Sequence, residues 1–279
     1  MSLFVEPKID CHCHVLDPAR FPYAPDVAYR PAGQEIGTLN QYLQVMEAYG
    51  IQHALLVGPN SGYGLDNRCL LDAIARSGDR IRGIAVVRND ATREELRRLR
   101  EAGVIGVAFN ATVLGVDYYA QADALLDKLA DLDMFVQVQV EHDQLVALRP
   151  LLERSGARIL IDHCGRPRAG AGLEQPGFQA LLALARTRRC AVKLSGYQKF
   201  STQPPPYEDA LVVVRALIDA FTLDACLWAS DWPFLKAPQR LDMGPLLLQV
   251  QTLLPDPQDR RRLWWDSPRK WLGFDAAGP

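Results

Sequence analysis

The 279-residue chain contains no run of 18 apolar residues, so nothing in it has the length that crosses a bilayer as a helix. It lacks a basic segment followed by a short apolar stretch near its start, and a secretory signal is therefore not expected. It has almost no net charge. The 31 Lys and Arg against 33 Asp and Glu give −2, which removes the electrostatic case for nucleic acid or an anionic membrane as partner. The basic cluster Arg260-Arg261-Arg262 is short and runs into Trp264-Trp265, as a solvated helix face does. A small, regular disulfide framework is missing too, since several of Cys11, Cys13, Cys69, Cys164, Cys190 and Cys226 lie inside apolar runs. A soluble protein of a reducing compartment, the cytoplasm, is the simplest expectation. No linker or composition break divides the chain.

What is present is an alternation. Short apolar runs near residues 8–15, 53–57, 83–87, 106–110, 135–140, 158–163, 191–195 and 226–231 read as buried strands. Helix-like segments follow each one. Thr38 opens the first helix and Gly50 closes it; Thr92 with Glu95 forms a capping signal and Gly103 ends that helix. Further helices are expected near 67–77, 143–155, 178–187, 207–221, 241–254 and 257–272. Eight strand–helix units imply parallel pairing and an α/β fold, a (β/α)8 TIM barrel forming a single domain over 1–279. A proline-rich loop from about Asp17 to Gly37 is long enough to be a lid or a binding loop.

In such a barrel the active site lies where the strands end. Side chains alternate along a strand, so in Asp10-Cys11-His12-Cys13-His14 the two imidazoles share one face and the two thiols the other. The bland alternatives are two satisfied core histidines, or two thiolates holding a metal. The remaining strand ends offer Asn60 and Ser61, Arg88, Asn110, Gln139, His163, Ser195 and Asp231. A lone His163 would more often be structural, and Asp231 alone could be a turn aspartate, but an aspartate after Leu227-Trp228-Ala229 is costly to bury unless paired or reactive. Together with His12 and His14 they suit hydrolysis: a carboxylate takes a proton from water while imidazoles, with or without a metal, polarise a carbonyl. His53 starts its strand, at the wrong end of the barrel, and His142 begins a helix; neither is assigned a role.

His12-x-His14 on the first strand, His163 on the sixth and Asp231 on the eighth resemble the amidohydrolase superfamily, more narrowly its pyrone-dicarboxylate lactonase branch. The stretches that carry the resemblance are Ile9–Val15, Phe21–Pro25, Asp66–Arg68, Ile161–Pro167, Lys193–Gly196 and Ser230–Pro233, spread over most of the chain in order. The resemblance implies that Asp231 activates water and that His12, His14 and His163 line the carbonyl and the water. It also implies substrate contacts from Tyr29, Asn60 and Ser61, and it places Lys199 where that branch has an arginine. Asn110 and Gln139, at the ends of the fourth and fifth strands, are further candidates for substrate binding.

Two departures qualify the resemblance. The fourth strand ends in Phe109-Asn110 and the fifth offers Gln137 and Gln139, so the bridging ligand and extra histidine of a binuclear centre are missing. Either no cofactor is required, or one divalent metal of the zinc type sits on His12, His14, His163 and Asp231. The stretch Gly106–Leu114 also lacks the arginines with which the branch grips carboxylates, leaving Lys199 and Arg88 as the available cations. A small lactone carrying fewer negative charges, of the sugar-acid or muconolactone type, is the expected substrate partner. The alternatives are a metal-dependent decarboxylase of an aromatic or unsaturated acid on the same barrel, and a non-catalytic barrel that binds a small acid. Exposed apolar surface would allow a homo-oligomer, though nothing in the chain fixes one.

Overall fold

The computed structural model describes residues 2–27 and 29–274. Eight strands form one parallel sheet in sequence order: β1 (Lys8–Cys13), β2 (Ile51–Val57), β3 (Ile81–Ala85), β4 (Val104–Asn110), β5 (Phe135–Gln139), β6 (Arg158–Ile161), β7 (Cys190–Leu194) and β8 (Cys226–Trp228). Each is followed by a helix: α1 (Leu39–Ala48), α2 (Arg68–Arg76), α3 (Arg93–Glu101), α4 (Asp123–Asp131), α5 (Gln144–Arg154), α6 (Pro176–Ala185), α7 (Glu208–Phe221) and α8 (Met243–Leu253). This is the (β/α)8 barrel expected from the alternation. The helix signals act locally as anticipated. Thr38 accepts from the Gln41 amide and Thr92 from the Glu95 amide, while Gly50 and Gly103 take the left-handed backbone that ends a helix.

The sheet closes between its first strand and the segment after its last. Asp231 N–H donates to the His12 carbonyl at 2.8 Å, and His14 N–H donates to the Trp232 carbonyl at 2.8 Å. The Asp10 carboxylate reinforces the seam, accepting from the Ser230 amide at 2.9 Å, the Ser230 hydroxyl and the Tyr42 hydroxyl at 2.8 Å.

The core has two shells. Ile9, Cys11, Leu55, Ile84, Phe135, Leu160, Ala191 and Leu227 fill the barrel interior below the site, with Leu272 and Phe274 packed against them. The opposite strand faces pack on the helices through residues such as Cys13, Leu56, Val107, Val136 and Val192. His53 stacks on Phe274 with ring centroids 4.4 Å apart, among these structural contacts and away from the catalytic end.

Three local expectations change. Cys11 belongs to the inner shell and Cys13 to the outer, because β1 shifts register between Asp10 and Cys13. The extra residue breaks the strict alternation. His12 and His14 still converge, but the two thiols part, which removes the thiolate metal site. Strands β6 and β8 end at Ile161 and Trp228, short of His163 and Asp231, and both of these residues adopt positive φ, 49° and 63°. The expected helix over 257–272 contains a wide π turn at Arg262–Asp266 between Pro257–Arg261 and Ser267–Leu272. Pro268 has no amide to complete the α-helical ladder there, and the widened turn leaves Leu263 and Trp264 both fully buried.

Gly106 sits where β4 crosses Phe135. A Cβ there would lie 2.7 Å from the Phe135 Cβ and carbonyl oxygen and 2.9 Å from Ile84. Gly106→Ala should therefore destabilise the barrel by about 1–3 kcal/mol, the ordinary cost of overpacking. Urea unfolding is expected to show a lower midpoint with an unchanged m value.

Candidate active site

At the C-terminal ends of the strands lies a cleft of about 470 Å³. His14, Asn60, Ser61, Asn110, Gln139, His163, Lys199 and Asp231 all line it, so the barrel brings together residues that the sequence separates by more than two hundred positions. His12 lies just beneath, 1% exposed.

Asp231 is the focus. It is buried, and its Oδ2 accepts from Lys199 Nζ at 2.9 Å and from Gln198 Nε2 at 3.4 Å. Its Oδ1 has no hydrogen-bond partner, yet the Nε2 atoms of His12, His14 and His163 stand 3.8, 3.8 and 3.6 Å away. A buried carboxylate oxygen left open in this way is costly. It faces the three imidazoles in the floor of the cleft that Asp231 lines.

Each imidazole is held from behind. His14 Nδ1 pairs with the Val57 carbonyl at 2.8 Å, and His163 Nδ1 with the Ser195 hydroxyl at 3.0 Å. His12 Nδ1 lies 3.2 Å from Asp162 Oδ1 and 3.3 Å from Lys193 Nζ. Gly196, at φ 67°, passes so close to His163 that a Cβ would fall 2.7 Å from its Nδ1. The left-handed backbone at His163, Cys164, Arg166 and Asp231 concentrates strain around this cleft, as is common where function over-determines the fold.

Burial sets the charge states. It pushes His12 and His163 well below the ordinary imidazole range and His14 below it as well; Lys193 adds to the shift at His12, while Asp231 opposes it at His14 and His163. For Asp231, burial raises the carboxyl, but its charged and polar surroundings, the Lys199 ammonium foremost, outweigh burial and hold it below the usual carboxylate value. The site at neutral pH is thus one carboxylate among three neutral rings.

Part of this constellation could hold a single metal ion: ligand atoms of His12, His14 and Asp231 lie within 4.8 Å of one another, whereas His163 groups instead with His12 and Asp162. A tetrahedral centre with bonds near 2.1 Å spaces its ligands about 3.4 Å apart. The His12 and His14 Nε2 atoms are 3.2 Å apart, and all three imidazoles lie within 3.8 Å of Asp231 Oδ1. Two imidazole nitrogens and a carboxylate oxygen, with the fourth position left to water, are an ordinary donor set for zinc.

Two of the polar residues named from the sequence stand elsewhere. Tyr29 does not line the cleft: its hydroxyl donates to Glu35, and Lys236 Nζ sits 4.5 Å over its ring, so it backs the wall one residue behind. Arg88 is exposed, forks onto Asp90 and is absent from the lining. Other residues reach the site without having been singled out. Arg166 and Lys236 supply cations at the rim, while Asp162, Lys193 and Gln137 form a buried layer beneath. Lys193 had a legible signal: a lysine inside Ala191-Val192-Lys193-Leu194 must find a partner to be buried.

The sequence from residue 9 to 274 matches the amidohydrolase family. The chain belongs to that family. Among this amidohydrolase's curated relatives, a 4-sulfomuconolactone hydrolase from Rhizobium radiobacter is 34% identical over 274 residues, covering 95% of this chain and 89% of the relative. A 2-pyrone-4,6-dicarboxylate hydrolase from Comamonas testosteroni is 28% identical, covering 94% and 88%. Among solved structures, a probable 2-pyrone-4,6-dicarboxylic acid hydrolase from Acinetobacter baumannii with citric acid bound superposes at a TM-score of 0.88 with 25% identity, covering 96% of this chain and all of that one. More distant barrels, at 19% and 14% identity, include a Burkholderia multivorans amidohydrolase with bound zinc and a 2,6-dihydroxybenzoate decarboxylase from Rhizobium; with these the amidohydrolase shares the fold.

The three buried imidazoles predict a pH-dependent stability. Each is held neutral in the folded protein but takes up a proton near pH 6.5 when unfolded, so the unfolded state binds more protons below that value. The stabilisation is present above pH 6.5 and is lost progressively as the pH falls below it toward the depressed folded-state values of the rings. Asp10, which burial raises, opposes with one group. The melting temperature should therefore fall steadily between about pH 7.5 and 5.5.

Proposed function

We propose that this amidohydrolase opens a small lactone that carries a single acidic group. The observation that carries the reading is the open Oδ1 of Asp231, ringed by three imidazoles at the floor of the cleft. The resemblance to lactone hydrolases over nearly the whole chain supports it. A water at Oδ1 gives its proton to Asp231 as its oxygen attacks the ring carbonyl. His12, His14 and His163 line the water and the carbonyl, and Lys199 offsets the negative charge that builds up. The tetrahedral intermediate collapses by breaking the ring C–O bond, and the proton on Asp231 passes to the departing oxygen. The products are a carboxylate and a hydroxyl, or its keto form where the leaving oxygen is enolic.

The walls suggest the charge on the substrate. Lys199, Lys236 and Arg166 lie on the side formed by the loops after β6, β7 and β8. Lys199 is paired with Asp231 and Arg166 with Glu141 at 3.0 Å, although the buried Arg166 Nε has no partner. The wall after β4 is neutral, made of Ala108, Phe109, Asn110, Thr112 and Val113. One anionic group is matched there and a second is not. On the neutral side Asn110 donates to Asn60 at 3.3 Å and accepts from Thr112 at 2.7 Å, a polar rail suited to a ring oxygen or a hydroxyl.

A single divalent ion of the zinc type would need His12, His14 and Asp231 as its ligands and would polarise the carbonyl and acidify the water. A reducing, cytoplasmic setting is part of the proposal, supported by six buried and unpaired cysteines. The decarboxylase alternative has only a fold-level likeness behind it.

The test follows acid release from a panel of lactones containing the pyrone dicarboxylate, muconolactones and sugar-acid lactones. Lactones with one carboxylate should give the higher kcat/KM. Asp231→Asn should lower kcat by about 10²–10⁴-fold with its melting temperature retained. A fully active Asp231→Asn variant, or a panel that gives no turnover, would overturn the proposal.

A further inference from the structure

Directly beneath the histidines, β7 carries Lys193, which is completely enclosed. Its ammonium nitrogen has three polar side-chain neighbours: Asp162 Oδ1 at 3.0 Å, His12 Nδ1 at 3.3 Å and Gln137 Oε1 in close contact. Gln137 also donates to Asp162 Oδ2 at 2.9 Å, which fixes its amide with the oxygen toward Lys193. An ammonium group has three N–H donors and no acceptor, and a buried donor without a partner is expensive. All three are satisfied only when His12 Nδ1 presents its lone pair to Lys193.

The rest of the chain of contacts then has one direction. His12 Nε2 must carry the ring proton, and it faces His14 Nε2 at 3.2 Å. His14 Nδ1 lies 2.8 Å from the Val57 carbonyl, which can only accept, so His14 is protonated there and offers its Nε2 lone pair to His12. Every hydrogen bond from Lys193 through His12 and His14 to Val57 is complete with both rings neutral. The opposite arrangement puts the His12 proton on Nδ1, toward Asp162 Oδ1 at 3.2 Å. It sets that N–H against a Lys193 N–H and leaves two imidazole lone pairs facing each other at 3.2 Å.

We infer that Lys193 is a positioning residue that holds His12 in its Nε2–H form and thereby keeps His12 from serving as a metal ligand. A ligating imidazole uses the lone pair of one nitrogen and donates its other N–H to a carboxylate or carbonyl. Here the second nitrogen faces an ammonium, so binding through His12 Nε2 must move the proton and break the third Lys193 hydrogen bond. Asp162 stands ready as the alternative acceptor behind His12, and Lys193 occupies it. The donor set fits zinc while the layer below opposes it. This inference concerns the free protein and does not rest on the lactone reading, because its readouts are proton position and metal affinity.

The first measurement is nitrogen-15 NMR of the histidine side chains in the metal-free full-length protein, assigned by comparison with His12→Asn and His14→Asn. The expected result is His12 protonated on Nε2 and His14 on Nδ1. The second is zinc affinity, measured by competition with a chromophoric chelator, for wild type and Lys193→Met. Removal of the ammonium frees Asp162 to accept from His12 Nδ1–H, so Lys193→Met should bind one zinc at least tenfold more tightly than wild type. His12 protonated on Nδ1 in the wild type would overturn the inference, and so would a folded Lys193→Met variant that binds zinc no more tightly. If that variant fails to fold, the proton positions in the wild type decide the matter alone.

Discussion

The seam between β1 and the segment after β8 is the constraint on which the structure turns. The Asp231 amide donates to the His12 carbonyl, the His14 amide donates to the Trp232 carbonyl, and Asp10 ties down Ser230. These few bonds close the sheet, and they also set the two histidines of β1 against the carboxylate at the other end of the chain. Closing the barrel and assembling the site are the same event. The left-handed backbone at Asp231 is the local strain that this juncture maintains, since it points the carboxylate inward while its amide completes the seam.

Charge is balanced in layers above that seam. Lys193 pairs with Asp162 beneath the imidazoles and Lys199 pairs with Asp231 above them, so two carboxylates and two ammonium groups are buried or nearly so without a net charge. The histidines between them remain neutral because burial disfavours their charged forms more than Asp231 favours them. Such a layered site has a base that stays ionised and rings that do not compete for its proton. Cations at the rim then meet the acid group of a substrate without disturbing the floor.

Much of this was legible in the sequence. Eight apolar runs alternating with capped helices define the barrel, and the barrel rule brings His12, His14, His163 and Asp231 to one mouth. What was hidden depends on contacts between distant residues. The register shift in β1 that parts Cys11 from Cys13 has no mark in the residue pattern. The positive φ at His163 and Asp231 arises because the turns are held by the seam and by the neighbouring loops, not by glycine. Arg88 sits at a strand end by sequence, yet its short polar loop offers Asp90 as a nearer partner. Lys193 is visible as a charge in an apolar strand, but its partners come from elsewhere in the barrel, Gln137 from β5 and Asp162 from the residue just past β6.

The central claim is that Asp231 activates water and does not itself attack the substrate. A single turnover in heavy-oxygen water, with the lactone that the enzyme hydrolyses, separates the two directly. The account predicts one heavy oxygen in the product carboxylate on the first turnover and none in the protein. Unlabelled product from that turnover, with the heavy oxygen found in the side chain of Asp231 by mass spectrometry, would contradict it.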